Sequence, residues 1–411
     1  MDQPELDQPE RDRAQGEVDV VIVGGGIGGL ANALALARAG LRVRVLEQAP
    51  VFGEVGAGLQ IAPNASRILR DWGLLPEVIA RGVLPGQITM RDALDGSVLT
   101  SLDLRDVQHR YGAPYVVIHR SDLHEILLTA CRQQSVDLVT GAAVEYVDVS
   151  GTSAATVTRD GRRDTASIVV AADGLQSTLR RHLSDDEPVN SGYVAYRGAV
   201  PLVDLAGREG LALDEVVLYI GPGCHFVHYP LRGGEMLNQV AVFRSPKAAR
   251  GEPEWGGPDE LDAAFAATCD DVKRCLPALW RDRWWQMYDR VPIATWVDRR
   301  LVLTGDAAHP MLQYLAQGAC QAIEDASGLA TAVDKASAGR ARSGDRRSVR
   351  WDEALRDYND SRAERTARVQ ATARFWGEFW HCDGMARTVR NALLTERATR
   401  DYRYIDWLYA R

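Results

Sequence analysis

Cysteine is sparse and scattered. Cys131, Cys224, Cys269, Cys275, Cys320 and Cys382 stand far apart with no Cys-x-x-Cys pair, which excludes the spacing of a zinc site or a dithiol redox centre and fits reduced thiols. Long apolar runs are missing too: none reaches the roughly 18 residues of a membrane-spanning helix, so no membrane span is expected. A basic excess is absent, since 48 Lys and Arg stand against 56 Asp and Glu for a net charge of −8, and no nucleic-acid partner is expected. The first 17 residues lack the charged start and apolar stretch of a signal peptide. They are acidic and polar, with Asp-Gln-Pro-Glu at 2–5 and again at 7–10, the composition of a disordered tail, and a cytoplasmic location is expected. What remains is globular in composition, 46% apolar and 25% charged over 411 residues, enough for two or three domains.

The most informative stretch runs from Val18 to Gly40. Val20 to Val23 is a short β-branched run, the composition of a buried parallel strand. Gly24, Gly26 and Gly29 follow as G-x-G-x-x-G. An Ala- and Leu-rich helix pattern then extends to about Ala39, where Gly40 can stop it. A second apolar strand, 43–46, ends on Glu47. Gly24 permits the tight turn, Gly26 lets backbone approach a pyrophosphate, and Gly29 lets the helix pack close to the strand. The helix start offers free N–H groups to phosphates, and Glu47 can accept from a ribose hydroxyl. Strand, glycines, helix, second strand and terminal acid in this order predict a dinucleotide, NAD or FAD.

Further along, the glycine-rich segment 53–64 fits either backbone lying against something flat or a plain turn. Arg120, just before a helix pattern, fits a phosphate contact or a structural salt bridge. Strand 167–172 ends in Asp173-Gly174, placed where α/β sheets bind ligands, though a solvent-facing turn has the same sequence. The block 193–243 reads as strands without a crossover rhythm, a separate antiparallel sheet. Strand 301–304 leads into Gly305-Asp306-Ala-Ala-His309-Pro310 and a helix starting near Gly318, a second N-terminus for an electron-rich group. The basic stretch 335–350 reads as a solvated loop. Helices are expected over 351–379 and 386–395, with more aromatic side chains (Phe375, Trp376, Phe379) than one helix pair buries against itself. They pack on the body or on a second subunit, and a homodimer is expected.

Three motifs in order, G-x-G-x-x-G, Asp173-Gly174 with Arg180 six positions on, and Gly305-Asp306 before a glycine-led helix, resemble the single-component flavoprotein aromatic hydroxylases (class A monooxygenases). The likeness runs from Val18 through nearly the whole chain and is greatest to the branch acting on salicylate and 3-hydroxybenzoate. It implies an α/β fold: a Rossmann-type, glutathione-reductase-like FAD-binding domain (18–86, 105–190 and 286–334), an antiparallel-sheet substrate domain (87–104 and 191–285) and a C-terminal helical region (335–411). It implies FAD along the first helix, with Glu47 on the ribose, Arg120 and Asp306 toward pyrophosphate and ribityl, Gly318 and Ala319 beside the flavin ring and 56–60, including Gln60, lining it. Asp173 in such proteins serves both FAD and the reducing nicotinamide. Where many relatives carry proline after Gly-Asp-x-x-His-Pro, this chain has Gln313.

The implied reaction uses NADH or NADPH to reduce FAD, which takes up O₂ as a C4a-hydroperoxide and passes oxygen to a small aromatic acid. A phenolate attacks far better than a phenol, so the site wants a base or a strong acceptor at the phenol oxygen, and it must exclude water. His225 and Tyr229, four apart on one strand, share a face while His228 points away. His225, with an ordinary pKa near 6.5, is assigned as proton acceptor, against the plain alternative of a histidine satisfied within the sheet. Gln313 is expected to bond the same oxygen or orient His225, Tyr229 to meet the ring or its carboxylate, and His309 to be structural. No metal is expected. A disulfide reductase is excluded by the missing Cys-x-x-Cys and second glycine motif. An oxidase without hydroxylation and a non-catalytic flavin protein stay open at this point.

Overall fold

In the computed structural model, residues 18–53, 56–205, 212–337 and 348–410 are described. The expected tail, 1–17, and most of the basic stretch, 338–347, lie outside them, as do Glu54 and Val55 of the glycine-rich segment.

Val20–Val23 is buried at every residue and forms a central strand, pairing in parallel with Val43–Leu46 on one side and Ile168–Ala171 on the other. Six strands make this sheet, in the order Val297–Asp298, Leu301–Leu303, Ile168–Ala171, Val20–Val23, Val43–Leu46 and Asp137–Val139. Parallel strands buried on both faces need helices above and below. The apolar helix Ile27–Arg38 and the helix Gly318–Lys335 supply one layer, packed so closely that a Cβ on Gly28 would stand 3.4 Å from that of Ala322.

A second sheet has seven strands, in the order Trp285–Asp289, Val189–Pro201, Met236–Arg244, Cys224–Leu231, Val216–Gly221, Gln87–Asp92 and Val98–Asp103. All its pairings are antiparallel except that of Val216–Gly221 with Gln87–Asp92. The sheet therefore extends to Asp289, past the expected boundary at 285, because the Trp-rich segment pairs with Val189–Pro201 rather than starting the return to the nucleotide sheet. Its two faces bury different sets, as strand alternation requires: Val217, Tyr219 and Phe226 go outward under the helix Pro258–Phe265, while Leu218, Ile220 and Val242 face inward.

The helix Trp351–His381 joins the halves. At about 1.5 Å per residue its 31 residues reach from the helix Gly318–Lys335, where Arg362 pairs with Asp325, to the inner face of the second sheet, where His381 meets His225. Cys382 turns extended, with φ −64° and ψ 152°, and Asp383 caps the following helix, Gly384–Glu396. Among the described residues no helix is long and apolar enough to cross a membrane, and no cluster of side chains is arranged to hold a metal ion.

Candidate active site

The first glycine turn is held by backbone geometry. Gly24 has φ +106°, and a Cβ on it would lie 2.4 Å from the carbonyl oxygen of Ala172. A Cβ on Gly29 would lie 1.9 Å from the carbonyl oxygen of Gly24. Gly26, by contrast, sits at φ −73° as the N-cap of Ile27–Arg38, with no side-chain cap on the helix. Glu47 holds the loop itself: its carboxylate accepts from Gly25 N–H at 2.7 Å and from Ala49 N–H at 2.8 Å. Each carboxylate oxygen has a further lone pair for a ribose hydroxyl.

Asp173 lies against this turn, at the end of Ile168–Ala171. Its Oδ1 is sealed without a protein partner, and burial pushes its pKa up. Arg180 does a different job. It is buried, pairs twice with Asp186 and donates to the carbonyls of Ala307 and Ala308 at 3.0 and 2.6 Å, fastening the Asp-Gly motif to the Gly-Asp motif. His309 is structural, bonded to Asp325 at 2.5 Å and packed on Trp296. Asp306 is exposed on its turn. The helix from Gly318 also starts without a side-chain cap, a Cβ on Gly318 would meet nothing within 4 Å, Ala319 is half-buried, and the Gln317 Nε2 behind them is sealed and unpartnered.

These features fit FAD. Two uncapped helix starts present free N–H groups, glycines leave flat backbone, and a sealed acceptor and a sealed donor await partners that the chain does not supply. Between the helix starts, the segment 56–61 forms a wall. A Cβ on Gly56 would sit 2.9 Å from Arg120 Cδ, and one on Gly58 would sit 2.5 Å from the ring of Tyr229. Gln60 Oε1 accepts from Tyr115 at 2.7 Å and stands in hydrogen-bond reach of Tyr229. Asn238 fixes the wall by accepting from Gly58 N–H at 2.6 Å.

His225, Val227 and Tyr229 line the inner face of Cys224–Leu231, with the two polar residues about 13 Å apart along the strand. His228 points to the opposite face, where it stacks on Tyr219 at 6.2 Å. Tyr229 therefore packs on the 56–61 segment and His225 lies at the other end of the strand's inner face. There His225 is boxed by Trp380 at 5.3 Å and Tyr314 at 5.5 Å between ring centroids, and its Nδ1 lies 2.8 Å from Nε2 of His381. Gln313 is half-buried and opens the turn that carries Tyr314; no hydrogen bond joins it to His225.

Sequence reasoning missed three members of this site. His381 is 156 positions from its partner and was hidden in a run of helix aromatics. Tyr314 follows Gln313 in a turn whose sequence gives no sign of which side chain faces the sheet. Arg197 sat in a strand read only as strand, although a charge among Tyr-Val-Ala-Tyr-Arg-Gly is a readable anomaly. Its guanidinium lies 5.0 Å from the ring of Trp285, its Nε is sealed without a partner, and both Tyr229 and Arg120 are close enough to act on its charge.

Burial lowers the pKa of His225 well below the ordinary value, reinforced by His381, and lowers that of His381 to about 3, reinforced by Arg390. Both imidazoles are neutral at physiological pH. Tyr314 and Tyr193, beside them, are pushed up by burial and stay protonated.

A dinucleotide half joined to an aromatic-walled sheet floor, with a neutral imidazole at its end, defines a flavin-dependent monooxygenase of the aromatic hydroxylase class. The sequence profile of the family described as FAD binding domain matches residues 17–373, and the chain belongs to that family. A 3-hydroxybenzoate 6-hydroxylase of Polaromonas naphthalenivorans is 36% identical, covering 96% of this chain and 96% of its own length. One from Klebsiella oxytoca is 38% identical over 95% of this chain and 96% of its own. A salicylate hydroxylase solved with its substrate superposes with a TM-score of 0.76 at 25% identity, over 97% of this chain and 96% of that one.

Proposed function

We propose that the protein hydroxylates 3-hydroxybenzoate to gentisate, consuming one NADH (or NADPH), one proton and one O₂ and releasing the oxidised nicotinamide and water. The observation that carries this reading is His225 at the end of the floor, a buried neutral imidazole whose Nε2 has no protein partner, in a box of Trp380 and Tyr314. The two 3-hydroxybenzoate 6-hydroxylases named above support it. Bound FAD, once reduced by the nicotinamide, supplies the oxygen-transfer chemistry. Glu47, Arg120, Asp173, Asp306, Gln60, Gly318 and Ala319 are assigned to holding it.

The chain's residues position the ring and control its ionisation. His225 meets the phenol oxygen, with Gln313 beside it. Arg197, with an unused N–H on a guanidinium held over Trp285, takes the substrate carboxylate, as the fork of arginine does well. Tyr229 closes the floor toward the flavin wall. The aromatic box excludes water, which would divert the bound oxygen to peroxide. Oxygen enters para to the existing hydroxyl, where a phenolate concentrates charge. We also propose a homodimer in the cytoplasm: Phe375, Met385 and Leu393, on consecutive helices, are 59%, 78% and 59% exposed, apolar surface that a second copy would cover.

Product analysis on two substrates tests the reading. 3-Hydroxybenzoate should stimulate NADH oxidation and yield gentisate. If salicylate is the better substrate and yields catechol and carbon dioxide, attack falls on the carboxylate-bearing carbon and the substrate assignment is wrong.

A further inference from the structure

His225 and His381 share one hydrogen bond, Nδ1 to Nε2, so one of the two nitrogens carries a proton and the other a lone pair. The proton's location decides what His225 offers the substrate, because a neutral imidazole has one N–H. If His225 Nδ1 donates, its Nε2 is a lone pair, and His381 then carries its own proton on Nδ1. If His381 Nε2 donates, His225 carries N–H at Nε2, and His381 Nδ1 is bare.

Nδ1 of His381 settles the choice. It is sealed from solvent without a hydrogen-bond partner, whereas Nε2 of His225, equally without a partner, is not sealed. A buried N–H left unpaired is rarer and costlier than a buried lone pair left unpaired. The Arg390 guanidinium adds to this. It is held near the helix end by the carbonyl of Trp380 and by Asn391 and Asp92, and its charge disfavours a second proton on His381, so the ring has one N–H to place. The ring itself cannot easily swing away: His381 ends its helix, its carbonyl accepts from Gly223 N–H at 3.0 Å, and Tyr193 stacks on its other face at 4.7 Å.

We propose that His381 is a positioning residue that fixes His225 as a hydrogen-bond donor: His381 Nε2–H donates to His225 Nδ1, and His225 Nε2–H faces the substrate oxygen. A donor in that place takes a phenolate in preference to a phenol. The phenolic proton leaves to solvent on binding, and His225 holds the resulting charge instead of accepting the proton. This rests on the reading of the site as one for a hydroxybenzoate and replaces the proton-acceptor role expected from the sequence.

The holoenzyme with 3-hydroxybenzoate as probe tests it, through the change in flavin absorbance on binding. A free phenol ionises near pH 10, like tyrosine. The apparent affinity for 3-hydroxybenzoate therefore tightens about tenfold per pH unit between pH 6.5 and 8.5, as the phenolate fraction rises, and calorimetry in two buffers of different ionisation enthalpy finds one proton released per ligand. Over that range the protein groups around the pair hold still: His225 and His381 are neutral, Tyr193 and Tyr314 protonated, Asp92 ionised against Arg387 and Arg390. Benzoate, which has no phenol, shows no slope. His381→Phe flattens the slope for 3-hydroxybenzoate, and His381→Gln, whose amide N–H can donate to Nδ1, restores it; a packing role alone would weaken binding by one factor at every pH. A flat profile in the unmodified enzyme, or an unchanged slope in His381→Phe, overturns the proposal. Nitrogen-15 shifts of the histidines in the substrate-free holoenzyme test the pair without any ligand or variant: His225 should carry its proton on Nε2, and a proton on Nδ1 refutes the proposal. If that shift is as expected but 3-hydroxybenzoate does not bind, the substrate reading fails and the pair stands.

Discussion

Behind the helix Gly318–Lys335, Glu324 and Asp325 meet Arg362 and Arg365, and all four carboxylate oxygens are engaged, with Asn64, Gln321, His309 and the Gly305 N–H as further donors. On the inner face of the seven-stranded sheet, His225, His381, Tyr314, Trp380 and Arg197 are just as deeply placed. Yet His381 Nδ1, the Tyr314 hydroxyl, Trp380 Nε1 and Arg197 Nε are sealed with no partner. Both clusters are buried and polar; they differ in charge and in saturation. A buried ion pair is tolerated only when its lone pairs and protons are met; here every carboxylate oxygen is met, although Asn64 Oδ1 and His309 Nδ1 beside them are sealed without a partner, and the ion pairs hold the nucleotide half to the long helix. Unpaired neutral groups are costly unless something else uses them. Their grouping around His225 on the sheet floor supports the substrate end proposed above.

The contrast can be broken at either end. Gly26 has an ordinary φ and forms an uncapped helix start, so Gly26→Val should fold normally and lose its flavin entirely. Retained flavin absorbance would show that the phosphates lie elsewhere. Arg362→Met should leave Asp325 and Glu324 buried with too few cations and cost about 3–5 kcal/mol in a denaturant titration. A change below about 1 kcal/mol would mean that the saturated cluster does not hold the fold. Acid should act on the sheet-floor cluster first and on the ion-pair cluster only below about pH 4.5. His381, with its pKa lowered to about 3, resists protonation when folded, so below the ordinary value near 6.5 the unfolded chain binds more protons and stability falls, by at most about 1.4 kcal/mol per pH unit per histidine. Glu324, held at about 2 by Arg365 and Arg362 against the cost of burial, contributes stability above about pH 4.5 and loses it as pH falls toward 2. Urea titrations from pH 7 to pH 5 should show the first loss, and His381→Phe should reduce it.

Much of the nucleotide half was legible because its signals are local. Gly24 and Gly29 are dictated by a positive φ and a backbone approach within seven residues of Val23, and Glu47 ends the next strand. Alternation placed His225 and Tyr229 on one face and His228 on the other, since the strand period is 2. What alternation could not say is where along that face each residue works. Tyr229 turned out to fill the space left by Gly58, on a strand 171 positions away in sequence, and His225 to meet a helix end 156 positions away. Arg180, part of a motif that reads as cofactor-binding, is consumed by Asp186 and the carbonyls of Ala307 and Ala308. Motif spacing carries no information about which partner saturates a long side chain.

The central claim is that His225 meets the substrate oxygen. It is tested most directly by the fate of electrons in His225→Ala holoenzyme given NADH, O₂ and 3-hydroxybenzoate. No cofactor contact is assigned to His225, and Tyr229 on the same strand keeps its packing on Gly58, so FAD should be retained and NADH still consumed. Hydroxylation should slow by about a hundredfold, as when a single well-placed acid–base or donor group is removed, and most of the NADH oxidised should appear as hydrogen peroxide. Gentisate formed at the rate of the unmodified enzyme, with unchanged coupling to NADH, would contradict the account and leave His225 a structural histidine.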